Sequence, residues 1–151
     1  MKKLNVGLIG LGKMGILHGG ILCSMDSVVP RAVADSESML HRFAKSILPD
    51  MNFYKDYREM LEKEALDLVY ITTPTALHPS IAQACVEKGI PFFVEKPLGL
   101  SCEQCDPLIR KIQEKPVTNM VGYVLHFQDV FRKAKAIMDS GVLGGLIYLR
   151  S

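Results

Sequence analysis

The sequence predicts an α/β fold, a doubly wound parallel sheet. Two patterns carry that prediction. Short apolar runs alternate with longer stretches of helical periodicity along the chain, beginning with Leu4–Ile9 and Val28–Ala34, as successive βαβ units require. Polar residues close these runs, with Asp35, Thr72-Thr73 and Glu95-Lys96 standing where strands end. In open sheets of this kind, ligands bind beyond the carboxyl ends of the strands.

Leu4–Ile9 is long enough for one buried strand, and residues 13–24 place Met14, Leu17, Ile21 and Leu22 at helical spacing. Between them lie Gly10, Gly12 and Gly15, in a strand-to-helix turn. Gly10 permits the tight turn, Gly12 lets backbone approach a pyrophosphate, and Gly15 lets the helix pack closely on the strand. Phosphates would lie against the free N–H groups of a first helical turn that includes Lys13 and Met14, at the positive end of the helix dipole. Glycine turns also serve packing alone, but the position directly after a strand favours a Rossmann-type dinucleotide site.

Val28–Ala34 is the second strand, ending at Asp35, which lies 20 residues beyond Gly15. That is where a Rossmann unit places the carboxylate that binds the adenine ribose hydroxyls. A carboxylate there repels a 2′-phosphate, so NAD is expected over NADP. The competing reading makes Asp35 a cap for a helix over residues 36–48, which carries Met39, Leu40, Phe43 and Ile47 on one side. A short strand over 51–54, a short helix over 56–63 and a buried strand over 66–71 follow. The strand stops at Thr72-Thr73-Pro74-Thr75, a polar turn leading to His78, Pro79 and a helix through Glu87. Thr72, Thr73 and His78 thus fall on the same sheet edge as Gly12 and Asp35, although His78 equally suits a surface helix start.

After Gly89, residues 90–94 form a strand running into Glu95-Lys96-Pro97. Desolvating an ammonium is costly unless it is paired, so a charged pair here suits function better than stability. Pro97 holds Lys96 in extended conformations. Lysine presents three donors on a compact charge, suited to polarising a substrate oxygen or exchanging a proton with it. Ser101 starts a helix with Leu108, Ile109 and Ile112 at near-helical spacing, and residues 117–123 form another strand. A helix over 129–140 is expected to turn Val130, Ala134, Ile137 and Met138 inward, stopping at Gly141. Gly144-Gly145 and residues 146–149 read as a turn and an opening strand. Such a strand leaves an unpaired edge open to a partner chain or a second copy.

Bulk properties exclude several classes. A chain of 151 residues, 48% hydrophobic, can bury one good core. No apolar run has the length of a membrane span. The 18 basic and 16 acidic residues are scattered, so nothing points to nucleic acid. Met-Lys-Lys leads straight into the first strand without an export signal, so a cytoplasmic setting is expected. Cys102-Glu-Gln-Cys105 has the spacing of a redox or metal motif, but no second pair or nearby histidine completes it. These cysteines read as small residues near a helix start, and no metal site is expected.

Taken together, Gly10-x-Gly12-x-x-Gly15, Asp35, Thr73-Pro74-x-x-x-His78, Glu95-Lys96-Pro97 and Gly122-Tyr123-x-x-His126-Phe127 resemble the N-terminal part of the glucose-fructose oxidoreductase / inositol dehydrogenase (Gfo/Idh/MocA) family. The resemblance runs along essentially the whole chain, and Glu-Lys-Pro is its most specific signal. It implies a nicotinamide-dependent oxidoreductase acting on sugars, polyols or related small molecules. By position, the three glycines would frame the pyrophosphate and Asp35 the ribose. Thr72, Thr73, Pro74 and His78 would line the cofactor cleft, with Glu95 and Lys96 beside the nicotinamide. Lys96 would be the catalytic lysine, and the bond before Pro97 is often cis in this family. Tyr123 and His126 would face the substrate.

Thr75 and His126 stand where the family commonly has Asn and often has Arg. The resemblance divides the chain into a Rossmann-type cofactor domain over 1–122 and only the start of a second α/β domain, for substrate and oligomerisation, over 123–151. Cofactor binding is then expected, with turnover lost for want of the second domain. A different class of reading is a non-catalytic dinucleotide-binding module, a sensor or a subunit completed by a partner chain. FAD or S-adenosylmethionine binding is a third, in which Glu95-Lys96-Pro97 has no natural role.

Overall fold

The computed structural model describes residues 2–37, 45, 50–145 and 147–148. Its centre is a six-stranded, all-parallel sheet in the order β3-β2-β1-β4-β5-β6. The strands are β1 (Leu4–Ile9), β2 (Val28–Ala34), β3 (Asn52–Tyr54), β4 (Leu68–Ile71), β5 (Phe92–Val94) and β6 (Asn119–Val121). Five described helices accompany them: α1 (Lys13–Cys23), α2 (Tyr57–Lys63), α3 (His78–Lys88), α4 (Cys102–Glu114) and α5 (Asp129–Asp139). The expected helix over 36–48 lies almost wholly outside the described residues.

The chain runs outward from β1 to β2 and β3, then returns to β4 on the other side of β1 and continues to β5 and β6. The order therefore reverses between β1 and β4, and a crevice opens at their carboxyl ends. Pairing of Ile9 with both Ala34 and Ile71 brings the ends of three strands level, so that Gly10, Asp35 and Thr72 emerge side by side.

The larger core joins Ile9, Ala34, Val69, Ile71 and Val94 of the sheet to Met60, Ile81, Val86 and Leu108 of α2, α3 and α4. On the opposite face, Val6, Val28 and Leu22 form one small cluster, while Leu8, Leu11, Val33 and Met51 form another. Strands buried on both faces explain why the apolar runs are nearly continuous rather than alternating.

Several strands are shorter than the apolar runs that announce them. Asp67 lies in a bend where its side-chain Oδ2 accepts from the Asn5 N–H at 2.8 Å, and β4 begins at Leu68 and not at residue 66. The Ile90 N–H donates to Cys85 O at the end of α3, and Pro91 has no N–H, so β5 begins at Phe92. Likewise β6 stops at Val121, because the Tyr123 N–H turns back to Val121 O.

Two expectations about packing fail. Leu22 is buried in α1, but Met14, Leu17 and Ile21 are exposed, because the short helix covers the sheet with its glycine side. In α5, Val130, Ile137 and Met138 are exposed rather than inward, and no residue of the helix is buried. Its amphipathic pattern is real, but no described element covers the apolar face. Ile147 and Tyr148 adopt no strand, and the rest of the 146–149 run lies outside the described residues. No described helix is long and apolar enough to cross a membrane.

Candidate cofactor site

The three glycines of the first turn have different surroundings. Gly10 has φ +98°, in the left-handed region, and a Cβ there would meet the Thr72 backbone at 2.9 Å. At Gly15 a Cβ would lie 1.9 Å from Gly10 O and 3.0 Å from Thr72 Oγ1, so helix and turn are in direct backbone contact. Gly12 is the contrast, since a Cβ built on it meets nothing within 4 Å. Two glycines close the turn, and the middle one leaves room outside it.

Gly12 is also the N-cap of α1, where no side chain caps the helix. The first-turn N–H groups, those of Lys13 and Met14 among them, therefore face outward at the positive end of the helix. Thr72 is buried, and its hydroxyl lies 3.1 Å from Ile9 O and 2.8 Å from Gly10 O. Its hydroxyl is thus engaged in holding the glycine turn against β4.

Asp35 closes the other side. One carboxylate oxygen accepts from the Leu11 N–H at 2.6 Å and the other from the Glu37 N–H at 2.8 Å. The first bond ties the end of β2 to the glycine turn, and the second is the cap-like contact that the sequence also suggested. Each carboxylate oxygen can accept a further hydrogen bond, so both contacts leave capacity for a ligand hydroxyl.

Across the crevice, the Thr73 Oγ1 is buried and has no hydrogen-bond partner among the described residues. Such an orphaned polar atom is uncommon in a folded protein and points to a ligand. Pro74 is exposed beside it. His78, by contrast, is only 1% exposed, which excludes the surface-residue reading. Its Nδ1 lies 2.8 Å from Pro97 O and its Nε2 2.8 Å from Thr73 O. The ring joins the loop after β4 to the loop after β5.

The Lys96–Pro97 peptide is cis. Burial falls on Glu95 rather than on the lysine. The Glu95 side chain is 13% exposed, whereas Lys96 is exposed and its ammonium has no ion pair among the described residues. Glu95 Oε1 lies 2.7 Å from Nε2 of His18, a residue that the motif reading passed over. His18 stands one turn beyond Gly15 on α1, and only the fold brings it to the end of β5. Tyr123 and His126 lie on the exposed segment after β6, with ring centroids 6.3 Å apart.

Cys102 and Cys105 sit at the start of α4, and Ser101 caps that helix by accepting from the Gln104 N–H at 3.3 Å. Cys105 packs against Gly99, where a Cβ would meet its sulfur at 2.5 Å. Among the described residues no group of three or more His, Cys, Asp or Glu side chains is gathered for a metal.

Comparison with known proteins supplies a context for this geometry. The model of the Gfo/Idh/MocA oxidoreductase family, NAD-binding Rossmann fold, matches residues 4–123. The chain is 30% identical over its whole length to 2,7-anhydro-N-acetylneuraminate hydratase of Mediterraneibacter gnavus, covering 40% of that protein. It is 29% identical to myo-inositol 2-dehydrogenase of Thermotoga maritima over 93% of this chain and 42% of that one. Among solved structures, scyllo-inositol dehydrogenase of Lactobacillus casei with bound NAD(H) and scyllo-inositol superposes with a TM-score of 0.86 at 25% identity. That match covers 95% of this chain and 43% of the other. The chain thus spans about 40% of the length of the curated relatives it matches.

Proposed function

Because the chain belongs to the Gfo/Idh/MocA oxidoreductase family with its NAD-binding Rossmann fold, we propose that it is the cofactor-binding part of an NAD-dependent sugar or polyol dehydrogenase. The observation that carries this reading is the glycine turn. Gly10 and Gly15 are closed against backbone, while Gly12 opens onto free space at an uncapped helix N-terminus. The positive end of the helix dipole and the free N–H groups there suit a pyrophosphate by charge.

In this reading the N–H groups of Lys13, Met14 and Gly15 hold the pyrophosphate. Asp35 accepts from the ribose hydroxyls and disfavours a 2′-phosphate, so NAD is bound in preference to NADP. The unpartnered Thr73 hydroxyl, Pro74 and Glu95 line the nicotinamide end, Thr72 secures the turn, and His78 holds the two loops together. The cofactor, when bound, supplies a hydride donor or acceptor at its nicotinamide ring. Lys96 Nζ hydrogen-bonds the substrate oxygen and exchanges a proton with it as that oxygen changes between hydroxyl and carbonyl. Its ammonium, exposed and without an ion pair among the described residues, supports that role.

We assign residues 1–122 to the cofactor domain and 123–151 to the start of a substrate domain that carries Tyr123 and His126. The division is supported by the exposure of every described residue from 123 onward. Calorimetric titration with NADH and NADPH tests the reading. NADH should bind at least about tenfold more tightly than NADPH, a difference of about 1.4 kcal/mol, and Asp35→Ala should remove that preference. Equal affinity for the two cofactors in the unmutated chain would overturn the assignment of Asp35.

A further inference from the structure

His18 belongs to no motif used above, yet its ring is part-buried and packed against two others. Its centroid lies 5.5 Å from that of Tyr70 on β4 and 5.2 Å from that of Phe93 on β5, and those two rings are 4.9 Å from each other. Three rings from three elements therefore fix the plane of the imidazole.

The fixed ring aims Nε2 at Glu95 Oε1, 2.7 Å away. A carboxylate only accepts, so Nε2 carries the proton and donates. The other carboxylate oxygen, Oε2, accepts from the Lys96 N–H at 3.1 Å. The Glu95 N–H donates in turn to Ile71 O at 2.9 Å. Glu95 thus bridges the imidazole to the backbone of Lys96, with both oxygens occupied.

We propose that His18 is a positioning residue. By engaging one oxygen of Glu95, it fixes the carboxylate against the Lys96 backbone and keeps it from swinging out to pair with the exposed Lys96 ammonium. The ammonium then stays available to a substrate oxygen, and the carboxylate stays at the nicotinamide end of the crevice. This inference rests on the cofactor reading given above for the roles of Glu95 and Lys96. The hydrogen-bond chain itself does not depend on that reading.

Two substitutions separate positioning from packing. His18→Phe keeps an aromatic ring between Tyr70 and Phe93 but removes the donor. His18→Gln removes the ring but keeps an N–H donor within reach of Glu95. The readouts are NADH affinity and the backbone amide resonance of Lys96 in an NMR spectrum of the 15N-labelled chain.

Positioning predicts that His18→Phe shifts the Lys96 amide and weakens NADH binding about tenfold, while His18→Gln returns both close to their original values. The reverse order, with His18→Phe normal and His18→Gln impaired, would make the ring a packing element and overturn the proposal. A Lys96 amide unmoved in both variants would also overturn it. If the unmutated chain binds no NADH, the cofactor reading fails by itself, and the Lys96 amide still decides whether His18 positions Glu95.

Discussion

At the scale of single residues, the same amino acid does opposite work at neighbouring positions. Gly15 is required by the protein itself, since a methyl group there would overlap Gly10 O. Gly15→Ala should therefore lower the unfolding free energy by about 3 kcal/mol or more, as severe overpacking does, and a urea denaturation curve checks it. His78 has a comparable structural duty despite its place in a cofactor-like motif. His78→Ala takes the ring away from the part-buried Pro97 and Thr73 carbonyls, one of which accepts its N–H. An orphaned acceptor costs about 1–3 kcal/mol, so the expected outcome is a destabilised chain whose loops after β4 and β5 lose protection from hydrogen exchange. The glycines, Asp35 and the Glu95-Lys96 pair were legible in the sequence because each stands at a strand end. His18 was not, because its partner Glu95 lies 77 positions away and only the parallel sheet brings the two together.

At the scale of elements, strand ends and helix faces were harder to read than the elements themselves. Runs of apolar residues marked β4 and β5, but the hydrogen bonds of Asp67 and Ile90 trimmed them to their paired cores. Periodicity in α5 correctly indicated a helix and wrongly indicated burial, because period reports an amphipathic face and not the presence of something against it. The β3–α2 unit offers a pH test. Tyr54 on β3 donates its hydroxyl to Glu64 Oε1 at 2.5 Å, and that bond, with burial and the nearby carboxylates, raises its pKa to about 12. The native state holds this proton more tightly than the unfolded chain, whose tyrosines titrate near 10. The stabilisation is therefore complete below pH 10 and is lost as pH rises towards 12. Tyr54→Phe should destabilise the chain by about 0.5–1 kcal/mol at pH 8, and the difference should vanish by pH 12 in paired denaturation curves. In α3, burial pushes the Cys85 thiol up to about 12. Cys85 should resist a thiol reagent in the native chain, whereas exposed Cys23 and Cys102 react.

At the scale of the whole molecule, one sheet carries both the core and the crevice. Ile71 is fully buried at the end of β4 and precedes the threonines of the site. Packing that excludes water below the strand ends therefore also sets the height at which Thr72 and Thr73 emerge. The parallel architecture and the reversal between β1 and β4 give the chain one natural ligand position, and the closed, open, closed pattern of Gly10, Gly12 and Gly15 lies there.

The most direct measurement compares Gly12→Ala with the unmutated chain, by thermal unfolding and by NADH titration together. A methyl group at Gly12 meets no described atom beyond its chain neighbours within 4 Å, so unfolding should change only by the cost of an alanine N-cap, about 1 kcal/mol. NADH affinity should fall about tenfold or more as the added group takes the space of the pyrophosphate. A variant that unfolds normally and binds NADH as tightly as before would contradict the assignment of the glycine turn as the cofactor cradle.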